Sequence, residues 1–272
     1  MTAYPPDRHL LRDLQLSFDH SNSVIGSRAW LPIVPELCGD DGSIRAGALT
    51  ILVDVIGGGL AASTAQPNWI ATADLTLHLT AAATEGVVEA RAHVLRSGRT
   101  TVVLEVDLSV ADDPIGCATM SFSVLPRRAE NPDITATRPA GPSTMALAAS
   151  GLDAPLFNLV GIDTVDAVRG VVELPVREWA MNSMGTLQGG VVGSVVEAAA
   201  ETALRHASGT PLVVTDVQLT YLSFGRVGPL RTETDVLASA PEHSVARVAL
   251  FDTGAESRQM SIARVVATRS LT

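Results

Sequence analysis

The stretch Asn182–Leu204, NSMGTLQGGVVGSVVEAAAETAL, begins as a polar turn and runs through Gly189 and Gly190 into an apolar segment that carries acidic residues. No strand pattern follows the two glycines, so we place them in the first turn of a helix, where backbone N–H groups have no intrahelical partner. Free donors and the positive end of the helix dipole favour a negative charge or a developing oxyanion there. Glu197 lies among apolar neighbours, which indicates either the edge of a buried face or a carboxylate held for chemistry.

The chain contains this stretch twice. Residues 31–60 (LPIVPELCGDDGSIRAGALTILVDVIGGGL) align without gaps on residues 174–203 (LPVREWAMNSMGTLQGGVVGSVVEAAAETA), so that Gly47 meets Gly190 and Asp54 meets Glu197. After a one-residue slip, the register continues through most of each half. Such a register indicates an internal duplication and predicts two similar domains packed as a pseudo-dimer. We divide the chain into an N-terminal repeat at 1–125, a linker rich in Pro, Thr and charge at 126–145, and a C-terminal repeat at 146–272.

Composition indicates a globular protein and excludes several classes of function. The 272 residues are 46% hydrophobic and 18% charged, with a formal charge of −10 and a pI near 5.0, which argues against wholesale binding of nucleic acid or an anionic membrane. Cys38 and Cys117 have no metal-type spacing and fit a reducing cytosol, so we expect a cytoplasmic protein. The first residues lack an apolar run behind a basic head, so we expect no signal peptide. Residues 46–65 are apolar, but Asp54 and three glycines favour a buried helix over a membrane span.

The hydrophobic period predicts the same elements in each half. A strand at 27–34 precedes a helix at about 46–64, and from residue 70 the period becomes alternating over four strands separated by the turn signals TEG, RSGR and ADDP. The order recurs as a strand at about 164–176, a loop and helix at 180–206, and strands starting near 212, 229, 244 and 258. Short turns imply antiparallel neighbours, so we predict an α+β fold in which an antiparallel sheet packs on one apolar helix.

A sheet around one central helix, with the pattern N-x-x-G-x-x-x-G-G before an acid, resembles the hotdog fold. More narrowly, it resembles acyl-CoA thioesterases of the phenylacetate and 4-hydroxybenzoyl-CoA type, here as a tandem double hotdog. The resemblance covers nearly all of 27–125 and 164–268. The second copy carries the motif well, although Gln188 stands where these enzymes usually have a histidine. The first copy keeps the second glycine and the acid but has Gly39, Arg45 and Ala46 for the asparagine, the histidine and the first glycine.

Helix geometry predicts how the two copies combine. Eight residues of helix rise about 12 Å, so the Gly189 N–H and the Glu197 carboxylate cannot both contact one thioester carbonyl. If the helices pack antiparallel, the start of one lies near the middle of the other, which pairs Gly189 with Asp54 and Ala46 with Glu197. The resemblance likewise implies sites at the interface between units. We expect the Asp54 site to be the more complete, and the Glu197 site to be weakened.

The resemblance implies a role for each residue of the Asp54 site. Asp54 would act as base or nucleophile, the Gly189 N–H would stabilise the oxyanion, and Asn182 and Gln188 would orient water and thioester. No metal or redox cofactor is needed, since CoA arrives as part of the acyl-CoA substrate. Arg96 and Arg99, in the RSGR turn, are candidates for the CoA phosphates, and Gly190 is assigned with them to the CoA-binding residues. We expect a homo-oligomer of the tandem unit, with no nucleic-acid or membrane partner.

Other interpretations remain open from the sequence. Asn182 could serve only as a turn residue, Arg96 and Arg99 as a solvated turn, and Glu201 as the partner of Arg205 in a surface ion pair. A non-catalytic acyl-CoA binding or regulatory module would retain the groove without hydrolysis. A hotdog hydratase or dehydratase is disfavoured, because no histidine lies close in sequence to either helix start.

Overall fold

Two long helices form the centre of the molecule. The computed structural model describes residues 4–19, 26–127, 141–240 and 242–269. The long helices, α2 and α4, begin and end close to the predicted positions, and two short helices, α1 and α3, accompany them. In chain order the helices are α1 (Leu10–Asp13), α2 (Ala46–Thr64), α3 (Leu156–Val160) and α4 (Gly189–Ser208).

Within the described residues, thirteen antiparallel strands form one continuous sheet around these helices, in the order β7-β1-β2-β4-β5-β6-β3-β10-β13-β12-β11-β9-β8. The first seven strands are β1 (Ser17–Asp19), β2 (Ser27–Pro32), β3 (Trp69–Leu79), β4 (Val87–Ser97), β5 (Thr101–Val110), β6 (Asp113–Leu125) and β7 (Pro142–Thr144). The other six are β8 (Asp163–Asp166), β9 (Val171–Leu174), β10 (Val213–Tyr221), β11 (Leu230–Ser239), β12 (Ser244–Asp252) and β13 (Arg258–Thr268). Apart from the additional edge strand β7, equivalent strands follow the same order from either edge, and β3 pairs with β10 where the two repeats meet.

The two repeats each have the predicted hotdog architecture. In the first, α2 lies against β2 to β6, and in the second α4 lies against β9 to β13. Alternating positions of β5, at Val102, Leu104, Val106 and Leu108, are at most 1% exposed, since they face the helix. The fold is therefore a double hotdog of the α+β class.

The helices α2 and α4 pack against each other in opposite directions. Gly190 lies against Ile51 and Gly193 lies against Thr50, so residue numbers fall along one helix as they rise along the other. A Cβ atom at either glycine would overlap the facing helix, which explains why small residues stand at this crossing. The predicted antiparallel arrangement is confirmed, and it brings the start of each helix to the middle of the other.

The apolar helix α2 is a core element. It is long and apolar enough to cross a membrane by length and composition, with a mean hydropathy of 1.6, but 78% of that window is buried inside the protein. The core helix of a soluble domain has these properties, as the glycines and Asp54 led us to expect.

The structure differs from the sequence prediction at two places. The strand predicted at 164–176 is a hairpin of two short strands, β8 and β9. The end of the predicted linker forms β7, which pairs with β1 and extends the sheet of the first repeat. The rest of the linker at 128–140 lies outside the described residues, so the domain boundaries stay predictions.

Candidate active site

The carboxylate of Asp54 lies at the first turn of the opposite helix. The Gly190 N–H donates to Asp54 Oδ2 at 3.0 Å, and Gln188 Nε2 lies 3.4 Å from the same oxygen. From its own repeat, Thr72 Oγ1 donates to Asp54 Oδ1 at 3.0 Å. The acid from one repeat is thus fixed by the start of the helix of the other repeat, as helix geometry predicted.

Burial changes the acidity of Asp54. The residue is 7% exposed, and no basic side chain among the described residues contacts its carboxylate. Burial raises the pKa of Asp54 to about 6, although the hydrogen bonds from Thr72 and from the Gly190 N–H act in the opposite direction. A carboxylate of this kind is ionised at neutral pH yet basic enough to accept a proton.

Gly189 places a free backbone donor beside this carboxylate. A Cβ atom built on Gly189 would lie 2.9 Å from both oxygens of Asp54. Because N and Cβ of one residue are about 2.5 Å apart, the Gly189 nitrogen lies within about 5.5 Å of the carboxylate. Its N–H is at the first helical position and has no acceptor among the described residues. Tyr221 fixes the turn from the other side, since its hydroxyl donates to the Gly189 carbonyl at 2.8 Å.

These groups line a cleft of about 1410 Å³ between the repeats. The cleft contains Asp54, Thr72, Gln188, Gly189 and Tyr221. Strands β3 and β10 pair where Asp74–His78 faces Asp216–Thr220. Beyond the pair of Asp74 and Thr220 the sheet is open, between residues 69–73 of β3 and the segment 221–225. The reacting groups are therefore reached through a gap in the sheet.

Asn182 lies at the cleft, but its side chain is engaged in its own loop. Its Oδ1 accepts from the N–H groups of Met184 and Thr186 at 2.9 and 3.2 Å, and its Nδ2 donates to Thr186 Oγ1 at 2.7 Å. These bonds shape the turn that leads into α4. Asn182 therefore holds the loop, which is the alternative that the sequence left open.

The equivalent site around Glu197 is closed by an arginine. The Gly47 N–H donates to Glu197 Oε2 at 2.7 Å, which mirrors the bond from Gly190 to Asp54. Arg45 stands at the position of Gln188 and lies 4.0 Å from Glu197 and 2.8 Å from Glu201. Its guanidinium also covers the ring of Phe157 at 4.3 Å. Glu197 is 2% exposed, and burial raises its pKa while Arg45 opposes that rise.

The ion pair expected between Glu201 and Arg205 is wrong. Glu201 pairs with Arg45 from the other repeat, and Arg205 pairs with Asp40 at 2.6 Å. The sequence spacing suggested a pair along one helix, but the antiparallel crossing brings oppositely charged partners from the first repeat closer. None of these four residues lines the cleft that contains Asp54.

Arg96 and Arg99 do not line the cleft. They flank the turn between β4 and β5, where Thr101 pairs with Ser123, a residue of the cleft wall. The turn therefore lies beside the cleft on the sheet. Gly190, assigned to CoA binding, instead directs its N–H to Asp54.

Sequence reasoning missed Thr72 and Tyr221. One signal was available, because the second copy has Val214 opposite Thr72 and the first copy has Leu79 opposite Tyr221. A polar residue present in only one copy, near an acid present in both, marks a difference between the two sites. Within the described residues, no group of three or more His, Cys, Asp or Glu side chains is placed to hold a metal ion.

Comparison with known proteins agrees with this architecture. The family model of the Thioesterase superfamily matches residues 42–117, in the first repeat, which carries Gly47 and Asp54. No curated protein sequence matches the chain significantly. The match falls in the copy whose motif departs more from the family pattern.

Several solved structures are similar over nearly the whole chain. A candidate thioesterase from Novosphingobium aromaticivorans is 17% identical with a TM-score of 0.64, covering 92% of this chain and 97% of that chain. The TesB protein of Mycobacterium avium subsp. paratuberculosis is 14% identical with a TM-score of 0.61, covering 89% and 92%. An acyl-ACP thioesterase from Bacteroides thetaiotaomicron is 11% identical with a TM-score of 0.59, covering 88% and 96%. These structures share the tandem hotdog fold over nearly the whole chain, and the family match in the first repeat agrees with the resemblance to thioesterases.

Proposed function

We propose that the chain hydrolyses acyl-CoA thioesters to the free acid and CoA, and that it does so at the cleft containing Asp54. The observation that carries this proposal is the buried Asp54 carboxylate of one repeat held beside the free Gly189 N–H of the other. A nucleophile or base and an oxyanion donor stand close enough to act on one carbonyl. The similarity to the Thioesterase superfamily supports the reaction type.

The proposed reaction begins with the thioester carbonyl at the Gly189 N–H. Asp54 either removes a proton from an attacking water or attacks the carbonyl itself to form an anhydride that water then opens. The negative charge on the tetrahedral oxygen is stabilised by the Gly189 N–H at the positive end of α4. Collapse breaks the carbon–sulfur bond, and the CoA sulfur takes a proton. Thr72, Gln188 and the Gly190 N–H hold the carboxylate in place throughout.

The CoA portion would approach over the outer face of the sheet. Thr72 points inward to Asp54, so Ala71 and its partner Ser123 point outward, and both line the cleft. From Ser123 the sheet continues to Thr101 and then to the turn that carries Arg96 and Arg99. The turn is about 10 Å from β3, since two strand spacings separate them. This path supports the two arginines as candidates for the CoA phosphates.

Two alternatives follow from the same fold. A binding or regulatory module would keep the cleft but not turn over. A hydratase would need a histidine at the reacting groups, and His9 does lie near the loop before α4. However, His9 Nδ1 accepts from the Leu11 N–H and His9 Nε2 donates to the Met181 carbonyl, so both ring nitrogens are engaged, and His9 does not line the cleft.

Assembly and location are part of the proposal. We propose a homo-oligomer of the tandem unit, with Leu95 and Leu237, which are 54% and 52% exposed at equivalent bulges of the two repeats, as candidate contact residues. Cys38 and Cys117 are free thiols, which supports a cytoplasmic location.

The test measures release of free thiol from a panel of acyl-CoA thioesters by the wild type, Asp54→Asn and Glu197→Gln. We expect Asp54→Asn to lower kcat by about 10²-fold or more with a modest change in KM, since it removes the base or nucleophile and keeps the shape. Glu197→Gln is the matched control, because it makes the same change at the equivalent position beside Arg45. It should lower kcat much less.

Two results would contradict this assignment. If Glu197→Gln is the inactive variant and Asp54→Asn keeps most of the activity, the other site is the catalytic one. If the wild type binds acyl-CoA without releasing thiol, the binding-module alternative replaces hydrolysis.

A further inference from the structure

We infer that the acyl chain runs along α2, away from Asp54 toward the end of the helix, and that Gly58 and Ala62 determine how long a chain the enzyme accepts. This inference rests on the proposed hydrolysis and adds the substrate class and two specificity-determining residues. The residues of α2 that line the cleft are Asp54, Val55, Gly58, Gly59, Ala62 and Ser63. They recur at helical spacing and form one stripe on a single face.

The stripe is a channel floor because its side chains are small. A Cβ atom built on Gly58 would make one ordinary van der Waals contact, at 3.9 Å with Phe122 Cε1, so it would displace nothing at this position of the cleft lining. By contrast, a Cβ at the adjacent Gly57 would lie 2.6 Å from Met120 Sδ in the core. Gly57 therefore faces packed side chains, whereas Gly58 faces the cleft.

The cleft that contains this stripe is also lined by apolar side chains, namely Leu11, Phe18, Met145 and Ile70. Polar residues of the same lining include Ser143 and Thr144 of β7 and Arg12, whose guanidinium donates to the carbonyls of residues 5, 6 and 145. A cleft that combines apolar side chains with a stripe of glycine and alanine suits an unbranched hydrocarbon chain.

The second repeat carries charged side chains at the equivalent helix positions. At the positions of Gly58 and Ala62 it carries Glu201 and Arg205, which are engaged by Arg45 and Asp40. The two copies are close in architecture, so this contrast is a difference in side chains alone. Only the copy that has the open Asp54 site also has the small residues that extend it.

Helix geometry gives the channel a scale. Gly58 lies about 6 Å and Ala62 about 12 Å along the helix from Asp54. An extended hydrocarbon chain advances roughly 1.3 Å per carbon, given a carbon–carbon bond of about 1.5 Å. Gly58 thus lies near the fifth carbon and Ala62 near the ninth. Beyond Ala62, Ser63 and Gln66 are exposed, so the channel opens to solvent there.

The experiment measures kcat/KM for straight-chain acyl-CoAs of two to twelve carbons with the wild type, Gly58→Leu, Ala62→Leu and Arg205→Leu. For Gly58→Leu we expect the ratio of ten-carbon to four-carbon kcat/KM to fall at least tenfold. For Ala62→Leu the ratio of twelve-carbon to six-carbon substrate should fall at least tenfold, with less change among shorter chains. Arg205→Leu is the matched control, since it places leucine at the equivalent helix position outside the channel, and its profile should follow the wild type.

The milder Gly58→Ala guards against loss of folding, and an intermediate shift in chain preference is expected for it. Three results would overturn the inference. Gly58→Leu and Gly58→Ala keep the wild-type chain-length profile, or Gly58→Leu and Ala62→Leu lose activity at the same chain length. The third is that Arg205→Leu shifts the profile as much as Ala62→Leu does. If the wild type hydrolyses no substrate, the proposed function has failed instead. The channel is then tested by calorimetric affinity for thioether analogues of the same chain lengths, where the same shifts are expected and unchanged affinities overturn it.

Discussion

At the scale of single residues, the molecule keeps a carboxylate where burial disfavours its charge. Asp54 has a pKa of about 6, raised above the ordinary value of 3.8, because its hydrogen bonds do not fully offset burial. A raised folded-state pKa means that Asp54 contributes stability below its unfolded pKa and that this contribution is lost as the pH rises through 6. Function at neutral pH is therefore opposed to stability at this position.

Asp54→Asn should accordingly be more stable than the wild type at neutral pH, by an amount that depends on pH. The amide can still accept from the Gly190 N–H but does not titrate. Between pH 4.5 and pH 7.5, the gain in free energy of unfolding relative to the wild type should grow by about 2 kcal/mol. Urea denaturation of both proteins at several pH values measures this gain. A difference that stays constant with pH would mean that the burial of Asp54 does not perturb its ionisation.

Sequence reasoning reached some residues of the site and not others. Asp54 and Gly189 could be paired from the sequence for two reasons. The two copies align acid on acid, and the helix rise places each acid too far from the glycine at the start of its own helix. Thr72 could not, because its approach to Asp54 depends on a bulge in β3 between Thr72 and Asp74. That Arg45 closes the second site could not be predicted either, because the sequence does not show which residues of the first repeat Glu201 faces across the helix crossing.

At the scale of elements, long periodic segments were predictable and short ones were not. Both long helices and the eight long strands follow from a sustained period, whereas β1 and β7 have three residues each and form by pairing with one another. The helix crossing depends on small residues, so it is sensitive to single methyl groups. At Gly190 an added Cβ would overlap the backbone of Ile51, whereas at Gly58 it would meet Phe122 at an ordinary van der Waals distance of 3.9 Å.

Gly190→Ala should therefore destabilise the protein by about 1–3 kcal/mol, since overpacking must push α4 away from α2. Gly58→Ala is the matched change within a helix and should be neutral or stabilising by up to about 1 kcal/mol, because alanine restricts the unfolded chain more than glycine does. Chemical denaturation of the two variants compares them directly. Equal effects at the two positions would show that the crossing is loosely packed.

At the scale of the whole molecule, a duplicated architecture carries two unlike sites. The backbone relation is preserved at both, because Gly190 donates to Asp54 as Gly47 donates to Glu197. The side chains around them differ, with a cleft at the first and an ion-pair network at the second. Both carboxylates bind the repeats together, so the closed site retains a structural role after losing an open cleft.

The repeats should consequently unfold as one unit. Their helices pack across the crossing, β3 pairs with β10 in a single sheet, and one hydrophobic core includes side chains from both.

Trp69 reports on the first repeat and Trp179 on the second, and the Trp179 indole donates to Asp13 Oδ2 across the molecule at 2.7 Å. The test uses variants that keep only one of these two tryptophans and have phenylalanine at the other tryptophan positions. In each variant, the thermal unfolding transition followed by tryptophan fluorescence should coincide with the loss of helix followed by circular dichroism. The two midpoints in each variant should agree within about 2 °C, which is roughly the shift that 1 kcal/mol would cause in a chain of this size. If one tryptophan changes well before the helix signal while the other changes after it, the repeats unfold separately, and the contacts across the helix crossing are too weak to hold the Asp54 site together on their own.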